Sequence, residues 1–267
     1  MNSCPVCGEI ETRALIIDLL ICAQCSHIFK NMKVPPKAYH TYRSSAHQEL
    51  TERHVTEASR AANMRLNFIK SFKDYRSGPR VLEIGCGHKF FLDAATKQGF
   101  EVEGTELSKA LIKELKYKVH YGNPSEIKEL GVYDIIAGFH VLEHLNDPLK
   151  ELLTLSKHLA HDGIMVLEFP NLFFETRELF PTNFYEGLHT QYFNNMSFNI
   201  FIKRCGLKQV LQTSFYDSKI STTMVCLIKE DADTDKFKEL VWKRLNEENG
   251  LEQIKEDSPM IIAKVTK

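Results

Sequence analysis

Two Cys-x-x-Cys pairs, Cys4–Cys7 and Cys22–Cys25, open the chain with 14 residues between them. Each such hairpin can hold two thiolates on one side of an ion, so two hairpins can surround a single tetrahedral Zn²⁺ with no coordination position left open. The spacing predicts a structural zinc ribbon with Cys4, Cys7, Cys22 and Cys25 as ligands, built on short strands at 14–17 and 25–29. Disulfides would need an oxidising compartment, and no secretory signal is read ahead of Cys4. The other three cysteines, Cys86, Cys205 and Cys226, are scattered, which fits a reducing cytoplasm.

Charge narrows the classes of partner. Lys and Arg total 34 against 35 Asp and Glu, so no global field draws the chain onto nucleic acid or acidic lipid. The longest apolar run, 14–22, is short and contains Asp18, so no membrane span is expected. The expected organisation is a ribbon and linker at 1–36, a lid segment and helix at 37–78, a core at 79–230, and a C-terminal helix and tail at 231–267.

Apolar spacing from Leu50 through Phe72 predicts a long amphipathic helix within 48–75, ended by Ser77-Gly78-Pro79. Beyond it, strand patterns at 80–84, 101–105, 133–138, 163–169, 208–214 and 222–228 alternate with helical patterns at 90–99, 108–116, 147–160, 174–179 and 196–205. That alternation predicts a doubly wound α/β fold with a mostly parallel sheet. Only 215–221 separates the last two strands, too few residues for a crossover helix, so they are expected to pair antiparallel. A last helix is predicted at 235–249, with Phe237, Leu240, Val241 and Leu245 on a face for the core or for a homodimer.

Val81-Leu-Glu-Ile-Gly-Cys-Gly87 reads as a strand entering a glycine turn, where the backbone can approach a nucleotide closely. Glu106 follows Gly85 by 21 residues, at the tip of the next strand. An acidic residue there accepts hydrogen bonds from ribose hydroxyls, so the glycines and the carboxylate support one another.

With Glu103-Gly-Thr-Glu-Leu-Ser108, Tyr133-Asp134, Phe139-His-Val-Leu-Glu-His-Leu-Asn-Asp-Pro148 and Gly163-Ile-Met-Val-Leu-Glu-Phe-Pro-Asn171, this turn resembles the class I S-adenosylmethionine-dependent methyltransferases over roughly 50–228. The resemblance implies a Rossmann-like sheet of seven strands and S-adenosylmethionine as cofactor. It implies Glu83 near the methionine amino group, Gly85, Cys86 and Gly87 in the turn against the cofactor, and Glu106 on the ribose with Leu107 against the adenine. It also implies Asn123 facing the adenine amine, and Phe139 and His140 bordering the sulfonium. Where that family has its third glycine, this chain has Lys89.

Methyl transfer requires a positioned nucleophile and, where that nucleophile carries a proton, a base. His144, past the fourth strand, and His189, in the segment expected to cover the substrate, are the general-base candidates. The bland readings are that His144 bonds a loop backbone and that His189 packs on Tyr192. His140-Val-Leu-Glu-His144 also fits the H-x-x-E-H pattern of inverted zinc peptidases, but that pattern needs a helix and His140 ends a strand. Tyr39 and Tyr42 sit where related enzymes carry a tyrosine-bearing lid. The ribbon is similar to that of the sugar C-methyltransferases, although the carboxylate they carry before the equivalent of His189 is here Leu188. The expected acceptor is therefore a hydroxyl, amine or carbon of a small, sugar-like molecule. A second reading is a ribosomal- or transfer-RNA base methyltransferase, supported by the basic and aromatic residues of 28–43. A third is a cofactor-binding scaffold without turnover.

Overall fold

The computed structural model describes residues 3–16, 18–31, 33, 50–72, 78–170, 188–217, 220–235, 239 and 261–265. Strands β1 (Thr12–Ile16), β2 (Leu19–Cys22) and β3 (Ile28–Lys30) form an antiparallel ribbon, one strand more than the sequence pattern predicts. Its two cysteine turns close by Gly8 N–H donating to Cys4 O (2.9 Å) and Ser26 N–H donating to Cys22 O (3.1 Å). Both donors have positive φ, 84° and 56°.

Helix α1 (Glu52–Lys70) starts at Thr51, whose hydroxyl accepts from His54 N–H, and buries Ala62, Leu66 and Ile69. The alternating core follows: β4 (Arg80–Ile84), α2 (Phe90–Lys97), β5 (Glu101–Glu106), α3 (Lys109–Glu114), β6 (Lys118–Tyr121), β7 (Tyr133–Phe139), α4 (Pro148–His158) and β8 (Leu159–Pro170). Then come β9 (Gln191–Tyr192), α5 (Asn195–Arg204), β10 (Leu207–Asp217), β11 (Ile220–Lys229) and β12 (Ile261–Val265). The main sheet runs β6-β5-β4-β7-β8-β11-β10, with β12 added at the β10 edge. Pairs from β6 through β8 are parallel, and β11 and β10 are antiparallel to their neighbours. The doubly wound sheet and antiparallel hairpin thus match the expectation. The hairpin strands reach Asp217 and resume at Ile220, so the connection is shorter than 215–221.

Successive strand residues point to opposite faces, which divides the core in two. Leu82, Ile84, Ile136 and Leu167 face α4, α5 and the ribbon residues Val6 and Phe29. Val81, Ile135, Ala137 and Val166 face α1 and α2. Among the described residues no helix is long and apolar enough to cross a membrane. The helix predicted at 174–179 and most of the one at 235–249 lie outside the described residues.

The ribbon is joined to the body through β9, which pairs antiparallel with β3. Lys30 N–H donates to Thr190 O (3.0 Å) and Asn194 Nδ2 to Ser26 O (2.8 Å). His27, fully buried, donates from Nε2 to Gln191 Oε1 (2.9 Å) and lies against Phe193. Gln191 Nε2 in turn donates to Leu145 O (2.9 Å). Replacing Gln191→Leu strands a buried imidazole N–H, while Leu145 O keeps Thr190 Oγ1 (2.9 Å), and is expected to cost about 1–3 kcal/mol. Urea unfolding measures this. A change below ~0.5 kcal/mol would mean that ribbon docking does not depend on that amide.

Candidate active site

The first βα turn is tightly enclosed. Gly85 has φ 65°, and a Cβ on it would meet Val141 Cγ2 at 2.6 Å. Only glycine combines that dihedral with that approach. Gly85 N–H donates to Thr105 Oγ1 (3.3 Å) and Cys86 N–H to Thr105 O (3.0 Å). Beside them the buried carboxylate of Glu106 accepts three backbone donors: Gly87 N–H on Oε2 (3.0 Å), and Leu107 (2.8 Å) and Ser108 (2.9 Å) on Oε1. A carboxylate offers about four lone-pair sites, so one remains, on Oε2. Lys89 occupies the left-handed region at φ 62°, and its ammonium lies 3.7 Å from Asp93 Oδ2, one turn along α2. The side chain thus runs along the helix, and the backbone takes the shape a third glycine would take.

Next to this turn lies a cavity of about 520 Å³. Of the sequence candidates, Gly85, Glu106, Leu107, Asn123, His140 and His144 line it. Cys86, in the same turn, is not among the lining residues. Its thiol packs onto Gly104 of β5, where a Cβ would stand 2.8 Å from Sγ. Phe139 does not line the cavity and lies edge-on to Phe91 (4.9 Å). Asn123 N–H donates to Glu126 Oε2 (2.9 Å). Ser108 and Tyr121 line the cavity as well, and no motif singled them out.

Buried carboxylates gather at the carboxyl ends of the central strands. Glu168, at the end of β8, receives Arg65 of α1 in a two-pronged pair, Nε to Oε2 (2.8 Å) and Nη2 to Oε1 (2.7 Å). The Arg65 guanidinium also lies 4.5 Å over the Phe139 ring. His140, at φ 55°, spans two carboxylates, with Nε2 3.0 Å from Glu168 Oε1 and Nδ1 3.2 Å from Glu143 Oε1. Burial opposes its charge, but the bonds to Glu143 and Glu168 hold its pKa up to about 10. Glu168 is driven to about 2, since Arg65 and His140 overcome the effect of burial. Glu83 goes the other way. Burial raises it to about 8, Arg65 counters weakly and Glu106 adds to the rise, and its Oε2 has no hydrogen-bond partner among the described residues. This network escaped the sequence reading, although two signals exist: Arg65 sits in the buried stripe of α1, and Glu168 interrupts the apolar run of β8.

The two histidines expected as bases meet. Their ring centroids are 4.7 Å apart at 70°, and donor atoms of Glu143, His144 and His189 all lie within 4.8 Å of one another. His144 Nδ1–H donates to Leu188 O (3.2 Å), which in the neutral ring puts the lone pair on Nε2. Burial lowers His189 to about 4, and Glu143 only partly offsets this. His189 also packs against Tyr192, whose hydroxyl donates to His189 O (3.2 Å), so the bland contacts exist beside the functional ones. Leu142–His144 is a single 3₁₀ turn after a strand, which removes the H-x-x-E-H peptidase geometry. Tyr39 and Tyr42 lie outside the described residues.

In the ribbon, Cys4 and Cys25 Sγ are 3.6 Å apart, Cys7 and Cys22 Sγ are 3.5 Å apart, and all four fall within 4.8 Å. A tetrahedral ion with Zn–S bonds of about 2.3 Å requires sulfur separations of about 3.8 Å, so the arrangement fits a zinc ribbon.

The chain belongs to the methyltransferase domain family, whose profile matches residues 53–212, more than half its length. It is 29% identical over 147 residues to the ubiquinone biosynthesis O-methyltransferase of Rickettsia conorii, covering 51% of this chain and 47% of that protein. It is 30% identical over 115 residues to the protein of the same description from Pelagibacter ubique, covering 38% and 48%. The chain spans about half the length of the curated relatives it matches. Among solved structures, the putative sarcosine dimethylglycine methyltransferase of Galdieria sulphuraria superposes with a TM-score of 0.54 at 16% identity, covering 67% of this chain and 87% of that one. That likeness supports the fold.

The raised pKa of Glu83 has a measurable consequence. An ordinary carboxyl is ionised in the unfolded chain above pH ~4.5, whereas folded Glu83 keeps its proton up to about 8. The folded state therefore binds more protons between these values, and stability falls as pH rises. Relative to Glu83→Gln, the wild type should lose about 1.4 kcal/mol per pH unit from pH 5 to 8 and then level off. Parallel denaturation curves for the two proteins across that range would show that Glu83 titrates normally.

Proposed function

We propose that this chain is an S-adenosylmethionine-dependent methyltransferase acting on a hydroxyl or amine of a small molecule. The reading rests on one observation above all: Glu106, fixed at the tip of β5 by three backbone donors, borders the same cavity as His140 and His144 beyond β7. A ribose-binding carboxylate and a proton acceptor thus open onto one space. S-adenosylmethionine, when bound, supplies an electrophilic methyl group on a sulfonium. The residues fit it, because Glu83 offers a buried oxygen without a partner, suited to the α-ammonium, and Glu106 keeps an acceptor site for a ribose hydroxyl. Gly85 and Gly87 keep the turn low, and Leu107 and Asn123 line the cavity end taken for adenine.

His144 is the general base in this reading. Leu188 O holds Nδ1–H, so Nε2 receives the acceptor's proton. His189, held neutral at physiological pH, stacks edge-on against His144, and the Glu143 carboxylate stabilises the imidazolium that forms. His140 is already protonated near neutral pH and cannot share that role. Zn²⁺ on Cys4, Cys7, Cys22 and Cys25 would be structural, because four thiolates leave no open position. The matched relatives are described as O-methyltransferases, which favours an oxygen acceptor over carbon.

Calorimetric titration with S-adenosylhomocysteine tests the cofactor pocket. Glu106→Ala removes the ribose contact and the tie between the two turns, and is expected to weaken binding by about 100-fold or more. Absence of binding by the wild type would overturn the reading. Once an acceptor is identified, His144→Ala should lower kcat by ~10²–10⁴. A loss of less than tenfold would remove His144 from that role.

A further inference from the structure

Helix α5 holds both cysteine turns of the ribbon, one from each end. At its start, Asn194 Oδ1 accepts from Ser197 N–H (2.8 Å) as the helix cap, while Asn194 Nδ2 donates to Ser26 O (2.8 Å) in the second turn. At its end, Arg204 donates from Nη1 to Val6 O in the first turn. The guanidinium lies against that turn: a Cβ on Gly8 would stand 3.8 Å from Nη1 and 4.0 Å from Nη2. The last turn of a helix is also where its dipole favours a cation.

The two carbonyls share one relation to the cysteines. Val6 O belongs to the peptide unit whose N–H is that of Cys7, and this N–H donates to the Cys4 sulfur. Ser26 O belongs to the peptide unit whose N–H is that of His27, and this N–H donates to the Cys25 sulfur. Cys4 and Cys25 are both buried, with their sulfurs 3.6 Å apart. Each end of α5 therefore holds the carbonyl of a peptide whose other side faces a ligand sulfur. A donor on a carbonyl polarises the peptide and strengthens its N–H as a donor, most of all where the donor is charged and the surroundings are of low dielectric. Four thiolates around one Zn²⁺ leave an excess of negative charge, which when buried requires such donors.

We propose that Asn194 and Arg204 are positioning residues of the zinc site: from the two ends of α5 they orient and polarise the amides that bond Cys4 and Cys25, so the body of the protein helps to set how tightly the ion is held. The assignment rests on the zinc reading of the cysteine cluster. Asn194 and Arg204 are 168 and 198 residues from the carbonyls they hold, so no spacing within the ribbon reveals them.

The test is competition between the full chain, loaded with one equivalent of Zn²⁺, and a chromophoric chelator. Co²⁺ loading adds a spectroscopic signature, the sulfur-to-metal absorption bands. Arg204→Met removes the charged donor and is expected to weaken Zn²⁺ about 10- to 100-fold, and Arg204→Lys, which keeps a cation beside Val6 O, should restore most of that loss. Asn194→Asp keeps a good helix cap but loses the donor to Ser26 O, and should weaken the ion about tenfold. In Arg204→Met and Asn194→Asp the Co²⁺ bands should move to longer wavelength, because sulfurs with weaker N–H bonds give up charge more readily. Arg13→Met removes the same charge from an exposed site on β1, beside Glu11, and should change neither affinity nor bands. Wild-type affinity and bands in Arg204→Met and Asn194→Asp overturn the assignment. Equal weakening by Arg13→Met and Arg204→Met also overturns it, since net charge alone would then explain the loss. So does an Arg204→Lys variant as weak as Arg204→Met, which would leave packing as the explanation. A wild-type chain that takes up no Zn²⁺ overturns the zinc reading itself, an outcome distinct from an ion held equally by every variant. Thermal melting of each variant in excess Zn²⁺ separates a weakened site from lost folding.

Discussion

Four carboxylates, Glu83, Glu106, Glu143 and Glu168, are buried at the carboxyl ends of the central strands, and burying charge requires partners. The rest of the site follows from how those partners are supplied. Glu168 draws Arg65 from α1, and with it fixes that helix over the end of the sheet. His140 takes a left-handed backbone conformation, and from there its ring bridges Glu168 to Glu143, which orients the 3₁₀ turn carrying His144. Glu106 uses three main-chain donors and so joins the first and second βα turns. Glu83 and Glu143 each keep an Oε2 without a partner among the described residues, and burial raises the pKa of Glu83.

The ribbon belongs to the same logic. Its last strand continues into the body through β9, and the residues just before β9 are His189 and Thr190. Thr190 N–H donates to Glu143 O (2.7 Å), while its carbonyl accepts from Lys30. One short segment therefore connects the cysteine cluster, the histidine pair and the Glu143 backbone. Loosening the ribbon would displace His189 directly, so the cysteine cluster and the histidine pair are mechanically coupled.

What the sequence makes legible is what is local. The cysteine spacing, the glycine turn and the position of Glu106 are short-range patterns, because a turn and the strand after it are fixed by neighbouring residues. The alternation of strand and helix gives the sheet for the same reason. What it hides is long-range: Arg65 and Glu168 are 103 residues apart, and His27 and Gln191 are 164 apart. Nothing in either neighbourhood names the partner. β6 and β9 are too short to show a period, with four and two residues, and exist because an edge was available to pair with. A turn motif does not say which side its middle residue faces; the missing side chain of Gly104 makes room for the Cys86 thiol.

Lys89 shows how a departure from a pattern is read. A glycine at this point would serve the backbone, which needs φ near 62°, and would leave the space above it clear. Lysine meets the first need at a cost of about 1–2 kcal/mol for the left-handed conformation. It meets the second because the side chain of residue i on a helix lies near that of residue i+4, where Asp93 offers a counter-charge. The substitution is thus carried by α2, and the floor of the cavity keeps the form that a glycine would give it. A lysine without an acid one turn on would have had its ammonium free to reach toward a cationic cofactor, so the pair Lys89 and Asp93, and not the lysine alone, is the unit that decides whether the turn stays open.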